Sequence, residues 1–390
     1  MEALRILVIS YNFLPDYAGW LQQTLTMVKA CNQELVSFTW ASPLRKEQPK
    51  LAAGSSLALR PINTALWSMD RPGKIAFSVA VGGYLVRNRH SFDLVYCPQS
   101  YMPSDWIVLV AKGIRIPVVV RAAGSEFSSH HCGGRLRRQI VPRLVDAIVV
   151  LNQNLFSDLN SSTHCDKVHL IPNGVDTKRF TPPTMEQRTA SRQEWRIADI
   201  EKVILFVGSI VPGKGVDTLV AAFASVLKAH PFSKLYLAGP LKSTGGRRGS
   251  DSDYVARLQL IVRQHAMEQR VHFLDHVSNI EELMHAADLF VLPSLSEGMP
   301  NVLLEAMATG LPCLASDIPG IRDVIDKWKN GILFQPGNVE ELTLHLNRLL
   351  GDPIERDCLG KQARTTIEQH FSSVTTAQHY QSLFLKIVSK

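Results

Sequence analysis

The stretch PSLSEGMPNVLLEAMATG, residues 293–310, decides the fold of this 390-residue chain. It follows an apolar run at residues 289–292 that predicts a strand, and it ends at Gly310, a residue type that suits the position after a helix. Between the two, a loop leads into a short helix, with Pro300 in its first turn and Asn301 as its capping residue. The buried face of this helix is expected at Val302, Leu303, Ala306 and Met307.

Two glutamates flank this turn. Glu297 lies in the loop and Glu305 in the helix, with seven residues between them. Free N–H groups and partial positive charge at a helix N-terminus suit an anion such as a diphosphate. The alternative interpretation is an ordinary strand–loop–helix unit whose glutamates are solvated.

Length and composition indicate a soluble protein of two domains. Of the residues, 45% are hydrophobic and 20% charged, and no window of 18 residues is uninterruptedly apolar. The first predicted strand begins at residue 4, which leaves no room for a signal peptide. Six cysteines without C-x-x-C spacing favour reduced thiols and a cytoplasmic location, at most peripheral on the inner face of the membrane.

The positive charge is confined to the first half of the chain. Residues 1–180 hold 20 Lys and Arg against 12 Asp and Glu, and the remainder holds 22 against 23. A basic half of this kind can bind nucleic acid, an anionic membrane or an acidic substrate. The sequence contains no nucleic-acid-binding signature, so the membrane and the acidic substrate are the favoured partners. The densest basic segment runs from Gly133 to Arg143 and predicts either a solvated face or contact with an anionic membrane. Its arginines, Arg135, Arg137, Arg138 and Arg143, surround the apolar residues Leu136, Ile140 and Val141.

Short apolar runs alternate with helical patterns along the whole chain. In the first half they predict strands at residues 4–10, 35–39, 94–97, 117–121 and 147–151, and in the second half at 203–209, 234–238, 271–274, 289–292, 312–315 and 331–334. This alternation argues for parallel sheets covered by helices on both faces, with ligands bound outside the carboxyl ends of the strands. The polar run up to residue 200 is expected to contain the domain boundary.

The motif resembles the signature of the retaining glycosyltransferases of family 4. The resemblance rests on the Glu-x7-Glu arrangement, on ADLFVLPS at residues 287–294, on GLPCLA at 310–315 and on IPNGVD at 171–176, and it is strong from residue 203 to 350. It implies the α/β GT-B fold, in which two Rossmann-like parallel-sheet domains face a central cleft. The implied domains are an acceptor-side domain at 1–180, a donor domain at 181–370, and a C-terminal helix at 371–390 that returns to the first domain.

The same resemblance implies the activity. The chain would transfer a sugar from a nucleotide-sugar donor to a glycan or lipid-linked acceptor, with retention of anomeric configuration. A nucleotide-sugar epimerase or hydrolase on the same fold is the alternative. On this resemblance the donor diphosphate is held by a lysine and by main-chain groups at a helix N-terminus, so neither a metal nor another cofactor is expected.

The resemblance also assigns residues. Lys214 would contact the donor diphosphate together with the main chain at Gly298, Met299, Pro300 and Asn301, while Glu305 would hold the ribose and Glu297 would lie near the sugar. Gly19 partly matches the paired glycine of the first loop, and Ser209 stands where the family commonly has arginine. On the acceptor side the candidates are Arg121, Gly124, Ser125 and Glu126, although Ala123 replaces the family's histidine, and Arg121 could equally pair with Glu126.

A second interpretation of Lys214 is a nucleotide-binding P-loop. Gly208-x4-Gly213-Lys214 nearly fits that pattern, which then requires Ser or Thr to ligate Mg²⁺. The next residue is Gly215, which removes the metal ligand and argues against an ATPase or GTPase.

Overall fold

The computed structural model describes residues 2–11, 19–44, 57–64, 71–99, 102–122, 140–163, 166–241 and 251–389. The chain forms two compact units. The first contains Met1–Gly174 and Ser373–Lys390, and the second contains Val175–Ser372.

The first unit is a parallel sheet flanked by helices. Its strands are β1 (Leu4–Ile9), β2 (Val36–Pro43), β3 (Leu57–Ile62), β4 (Leu94–Cys97), β5 (Val118–Ala122), β6 (Ala147–Val150) and β7 (Val168–Leu170). Before residue 174, the α-helices that the structure describes over their whole length are α1 (Gly19–Ala30), α2 (Arg71–Arg87), α3 (Met102–Gly113) and α4 (Gln153–Thr163). The strand order is β3-β2-β1-β4-β5-β6-β7, with Val8 opposite Trp40 in the register of the first pair.

Helices cover both faces of this sheet, so its central strands are mainly apolar, with Arg5 in β1 and Arg121 in β5 as exceptions. On one face, Phe77, Val81 and Leu85 of α2 pack in a core that includes Ile107 of α3. On the other face, Leu21 and Leu25 of α1 pack around the fully buried Trp40. A strand that is buried on both sides needs a largely apolar sequence, and this explains why short apolar runs predicted β1, β2, β4, β5 and β6. The edge strands β3 and β7 are more exposed and were not predicted.

The second unit repeats the architecture. Its strands are β8 (Lys202–Val207), β9 (Ser233–Ala238), β10 (Val271–Leu274), β11 (Leu289–Leu292), β12 (Cys313–Ser316) and β13 (Ile332–Phe334), in the order β10-β9-β8-β11-β12-β13. Its helices are α5 (Met185–Glu194), α6 (Val216–Ala229), α7 (Asp251–Gln264), α8 (Ile280–Ala286), α9 (Asn301–Ala308), α10 (Pro319–Arg322), α11 (Val339–Gly351) and α12 (Pro353–His370). All the strand pairs are parallel, as predicted.

The chain then crosses back to the first unit. The final helix, α13 (Ser373–Val388), packs beside α1, and its Phe384 is fully buried. Tyr380 and Phe384 both contact the ring of Tyr96 in β4, with ring centroids 5.7 and 5.6 Å away. The predicted return of the C-terminal helix to the first domain is therefore present in the fold.

The polar run before residue 200 is the clearest departure from the expected organisation. It forms α5 rather than a linker, and Thr184 and Gln187 cap this helix reciprocally. Arg188 and Arg192 bind Asp288 and the carbonyl groups at the end of α8. The segment is polar because its arginines satisfy buried backbone and carboxylate acceptors within the second unit.

No helix in the described part of the chain combines the length and the apolar character that crossing a membrane requires.

Candidate functional site

The centre of the second sheet is a topological switch point. β8 and β11 are neighbours there, and the chain leaves them toward opposite edges of the sheet. The loops that follow them, at residues 208–215 and 293–300, therefore meet at the carboxyl edge, where open α/β sheets bind ligands.

Two contacts fasten these loops together. The N–H of Leu295 donates to the carbonyl of Gly213 over 3.0 Å. Gly215 has a φ of +62°, and a Cβ placed there would lie 2.1 Å from the carbonyl oxygen of Pro293. Only glycine fits this approach, so Ser or Thr cannot follow Lys214, and the P-loop interpretation is wrong for a steric reason as well as a chemical one.

Lys214 and Glu297 face each other across the switch point. Lys214 occupies a short 3₁₀ turn, Pro212–Lys214, and its Nζ lies 2.5 Å from Oε1 of Glu297. The same oxygen accepts a hydrogen bond of 2.7 Å from Oγ of Ser294, which is fully buried. A cation and a carboxylate are thus held in place while the lysine stays 28% exposed and the glutamate 12% exposed.

Helix α9 begins one residue earlier than a cap at Asn301 predicts. Pro300 is its N-cap, with a φ of −77° and a ψ of 117°, so Asn301 is the first helical residue and not the cap. Pro300 lacks an N–H, which makes it acceptable where no intrahelical bond is made. The buried residues are Leu303, Leu304, Ala306, Met307 and Ala308, so Val302, which is only partly buried, was wrongly placed on the inner face. Gly310 takes the expected left-handed conformation, with a φ of +72°.

Helix α10 packs against the loop that precedes α9, at Glu297 and Gly298. A Cβ on Gly320 would lie 2.2 Å from the carbonyl oxygen of Gly298 and 2.5 Å from that of Glu297. Met299 is buried, so its side chain belongs to the core, whereas Ser209 at the end of β8 is exposed. Close backbone packing therefore fixes the position of this loop.

Glu305 lies in an environment that disfavours its charge. Burial raises the pKa of its carboxyl group to about 7, which the nearby Arg179 counteracts and Glu281 reinforces. Arg179 itself binds Glu281, with Nη2 and Oε2 2.8 Å apart. Among the described residues, the Glu305 side chain forms no ion pair of its own.

The structure describes only some of the candidate site residues in the first unit. Arg121 is 3% exposed in β5, and its Nη2 donates a 2.6 Å hydrogen bond to Oδ1 of Asn173. Gly19 is the first residue of α1. Gly124, Ser125 and Glu126 lie outside the described residues, as do residues 133–139 of the basic segment.

Sequence reasoning did not find several residues that shape this site. Ser294 lies within the signature and Gly320 lies beyond its end, yet the roles of both depend on what packs against them. Arg179 and Glu281 bind each other although about a hundred residues of sequence separate them. No local sequence pattern identifies either residue as part of the site. Only Ser294, three residues before Glu297, carried a readable signal, because a hydroxyl at that spacing can hydrogen-bond the carboxylate.

The fold agrees with that of solved structures, among them WaaG, a glycosyltransferase involved in lipopolysaccharide biosynthesis. The structure of Anabaena Alr3699/HepE in complex with UDP and glucose superposes with a TM-score of 0.82 at 20% identity, covering 98% of this chain and 100% of that one. The chain has the GT-B fold. Residues 187–366 match the family described as Glycosyl transferases group 1, and this segment contains Lys214, Glu297 and Glu305.

Two relatives of this GT-B protein extend the comparison. A GDP-mannose-dependent monoacylated alpha-(1-6)-phosphatidylinositol monomannoside mannosyltransferase of Corynebacterium glutamicum is 30% identical over 251 residues, 62% of each chain. The N-acetyl-alpha-D-glucosaminyl L-malate synthase of Bacillus anthracis is 26% identical over 244 residues, 62% of this chain and 60% of that one. The match thus spans less than two thirds of the length of these relatives.

Proposed function

We propose that this chain transfers a sugar from a nucleotide-activated donor to an acceptor, with retention of anomeric configuration. The observation that carries the proposal is the 2.5 Å contact between Lys214 and Glu297 on two loops fastened at the switch point. Breaking a glycosyl–phosphate bond puts negative charge on the departing diphosphate and positive character on the sugar carbon. A preorganised cation beside a carboxylate suits that separation of charge.

Each residue then has a distinct role. Lys214, together with main-chain groups from Gly298 to Asn301, stabilises the departing diphosphate. Glu297 lies near the sugar, where it orients hydroxyl groups or stabilises the cationic carbon. Glu305 accepts hydrogen bonds from the ribose hydroxyls, and its burial makes those bonds strong.

The comparisons support the donor class and leave its base open. The name of the Corynebacterium relative specifies GDP-mannose, whereas the Anabaena protein was crystallised with UDP and glucose. We infer a nucleotide-sugar donor for this chain. Its acceptor is a lipid-linked saccharide or another glycan precursor, and the positive excess of residues 1–180 supports an acidic one.

The test begins with binding. Thermal shifts with UDP, GDP and ADP identify the base, and matching sugar donors are then incubated with candidate acceptors. A transfer product with retained configuration supports the proposal. An isomerised sugar would instead make the protein an epimerase, and free sugar that forms equally without any acceptor would make it a hydrolase.

Metal independence is part of the proposal. Lys214 supplies the charge that a divalent ion supplies in other transferases, so transfer is expected to persist in a chelator. A strict requirement for Mg²⁺ or Mn²⁺ would contradict this assignment of Lys214.

A further inference from the structure

Helix α2 has apolar residues on its outer face as well as its inner face. Its twelve residues from 75 to 86 contain no charged side chain. Phe77, Val81 and Leu85 are buried against the sheet, but Ile75 is 53% exposed and Val79 is 59% exposed. A helix that is apolar all round is normally enclosed by protein or lipid, so this outer face lacks the environment that its sequence suits.

The exposed residues form one continuous surface. Ile75, Val79 and Val86 fall within about 40° of the helix circumference at 3.6 residues per turn. Beside them on α3 lie Trp106, 48% exposed, and Leu109, 51% exposed. The two helices touch, since a Cβ on Gly82 would be 3.5 Å from Nε1 of Trp106. We call the surface formed by Ile75, Val79, Val86, Trp106 and Leu109 the α2–α3 face.

Positive charge borders this face at one end. Both helices connect parallel strands, so their C-termini reach the same edge of the sheet. Arg87 is the last residue of α2, Arg89 follows it, and Arg115 follows α3; all three are exposed. An open hollow of about 480 Å³ is lined by Arg89, His90 and Arg115, whereas its Asp93 is already bound to Arg5 at 2.8 Å.

We propose that the α2–α3 face docks the protein on an anionic lipid bilayer. The aliphatic side chains and Trp106 enter the interfacial region, and Arg87, Arg89 and Arg115 bind headgroup phosphates. Charge complementarity selects this occupant. The charged residues of α2 are all basic, and α3 adds one acidic residue, Asp105, in its first turn. A second copy of the chain laid on this face would therefore oppose mainly like charges, whereas an anionic surface attracts them.

This surface differs from the segment from Gly133 to Arg143. Val141 of that segment is 5% exposed, so this apolar residue cannot contribute to membrane contact. The proposal does not depend on the catalytic one, because docking is measured without donor, acceptor or turnover.

The experiment is flotation of the full chain with vesicles of phosphatidylcholine alone or mixed with phosphatidylglycerol. The native protein is expected to float with the mixed vesicles and to dissociate at high salt. The triple variant Ile75→Ser, Val79→Ser, Trp106→Ser is expected to lose at least about tenfold in partitioning. The pair Arg87→Gln, Arg89→Gln is expected to lose about 30-fold, at roughly fivefold per basic residue.

Matched controls come from the second unit. Leu260→Ser with Leu344→Ser removes equally exposed apolar side chains, and Lys228→Gln with Arg263→Gln removes exposed charges. Both pairs are expected to float like the native chain. Unaltered thermal unfolding of every variant excludes misfolding as a cause of lost flotation.

Three outcomes would overturn the proposal. The first is failure of the native chain to float, and the second is equal flotation of the triple variant. The third is a native chain that light scattering shows to be a dimer while the triple variant is a monomer. Quenching by brominated lipids is an independent measurement. These lipids are expected to quench the tryptophan fluorescence of the native protein more than that of the Trp106→Phe variant. Equal quenching would show that Trp106 stays out of the bilayer.

Discussion

At the scale of the residue, the environment of Glu305 makes its charge depend on pH near neutrality. Burial raises its pKa to about 7, so the carboxylate that would accept ribose hydrogen bonds forms fully only above that pH. Nucleoside diphosphate affinity is therefore expected to rise as pH increases through 7. Calorimetric titrations from pH 6 to 8 measure this, and the slope is expected to flatten in Glu305→Gln, with affinity reduced by roughly 1–3 kcal/mol.

The same shift makes stability depend on pH in a defined direction. Because the folded pKa exceeds that of an unfolded glutamate, the native state retains the proton to higher pH. The contribution of Glu305 to the free energy of unfolding is greatest below pH 4.5 and falls by about 3 kcal/mol as pH rises past 7. Urea unfolding of the native chain and of Glu305→Gln is expected to show this difference. If the difference in the free energy of unfolding between the two proteins did not change with pH, the group that titrates would not be Glu305.

Substitutions of Lys214 and of Glu297 are expected to have different kinetic effects, although the two side chains are in contact. Glu297→Gln removes charge near the sugar and should lower kcat without weakening nucleoside diphosphate binding. Lys214→Ala should lower kcat by about 10²–10³-fold, and by less with a donor that has a better leaving group. Single-turnover rates and diphosphate affinities separate the two. Equal losses of diphosphate affinity would contradict this division of roles.

At the scale of the element, the turn before α6 depends on one glycine. Gly215→Ala would force a side chain into a left-handed conformation and within 2.1 Å of the Pro293 carbonyl oxygen. We expect a loss of at least about 2 kcal/mol in the free energy of unfolding, together with reduced activity, because Lys214 moves with the turn.

Gly213→Ala is the matched control for that turn. It lies two residues away, its φ is not positive, and a Cβ there meets nothing within 4 Å. Its stability and its kcat/KM are expected to stay near the native values. If both substitutions cost the same, the contact with Pro293 is not what shapes the turn.

At the scale of the whole molecule, the end of the chain stabilises its beginning. Phe384 in α13 is fully buried against Tyr96 of the first sheet. Phe384→Ala is therefore expected to cost about 3–5 kcal/mol, and the loss should fall on the first unit. Hydrogen exchange should accelerate in β1 and β4 while β8 and β11 stay protected.

The neighbouring residue provides the control. Leu385 is 38% exposed on the same helix, so Leu385→Ala is expected to leave exchange in both units nearly unchanged. Faster exchange in β8 and β11 after Phe384→Ala would show that α13 does not act on the first unit alone.

Much of the fold was available from the sequence, for a physical reason. Most central strands of these sheets are buried on both faces and are short apolar runs, and β4, β10 and β11 were predicted at their observed bounds. The edge strands β3 and β7 are more exposed and were not predicted. α2 was missed because a helix that is apolar all round has no helical periodicity to recognise. α5 was missed although Thr184 and Gln187 have capping-box spacing, a signal that its polar composition obscured.

The sequence by itself determined the two parallel sheets, the loop-to-helix signature and the residue types at the site. Only the tertiary structure brought Lys214 to Glu297, 83 residues away, and placed Arg179 and Glu281 beside Glu305. Only the tertiary structure turned three apolar residues of α2 outward. Residue type and spacing act along the chain, whereas burial, pKa and exposure depend on which distant segments pack together, and that is decided when the sheets and helices assemble.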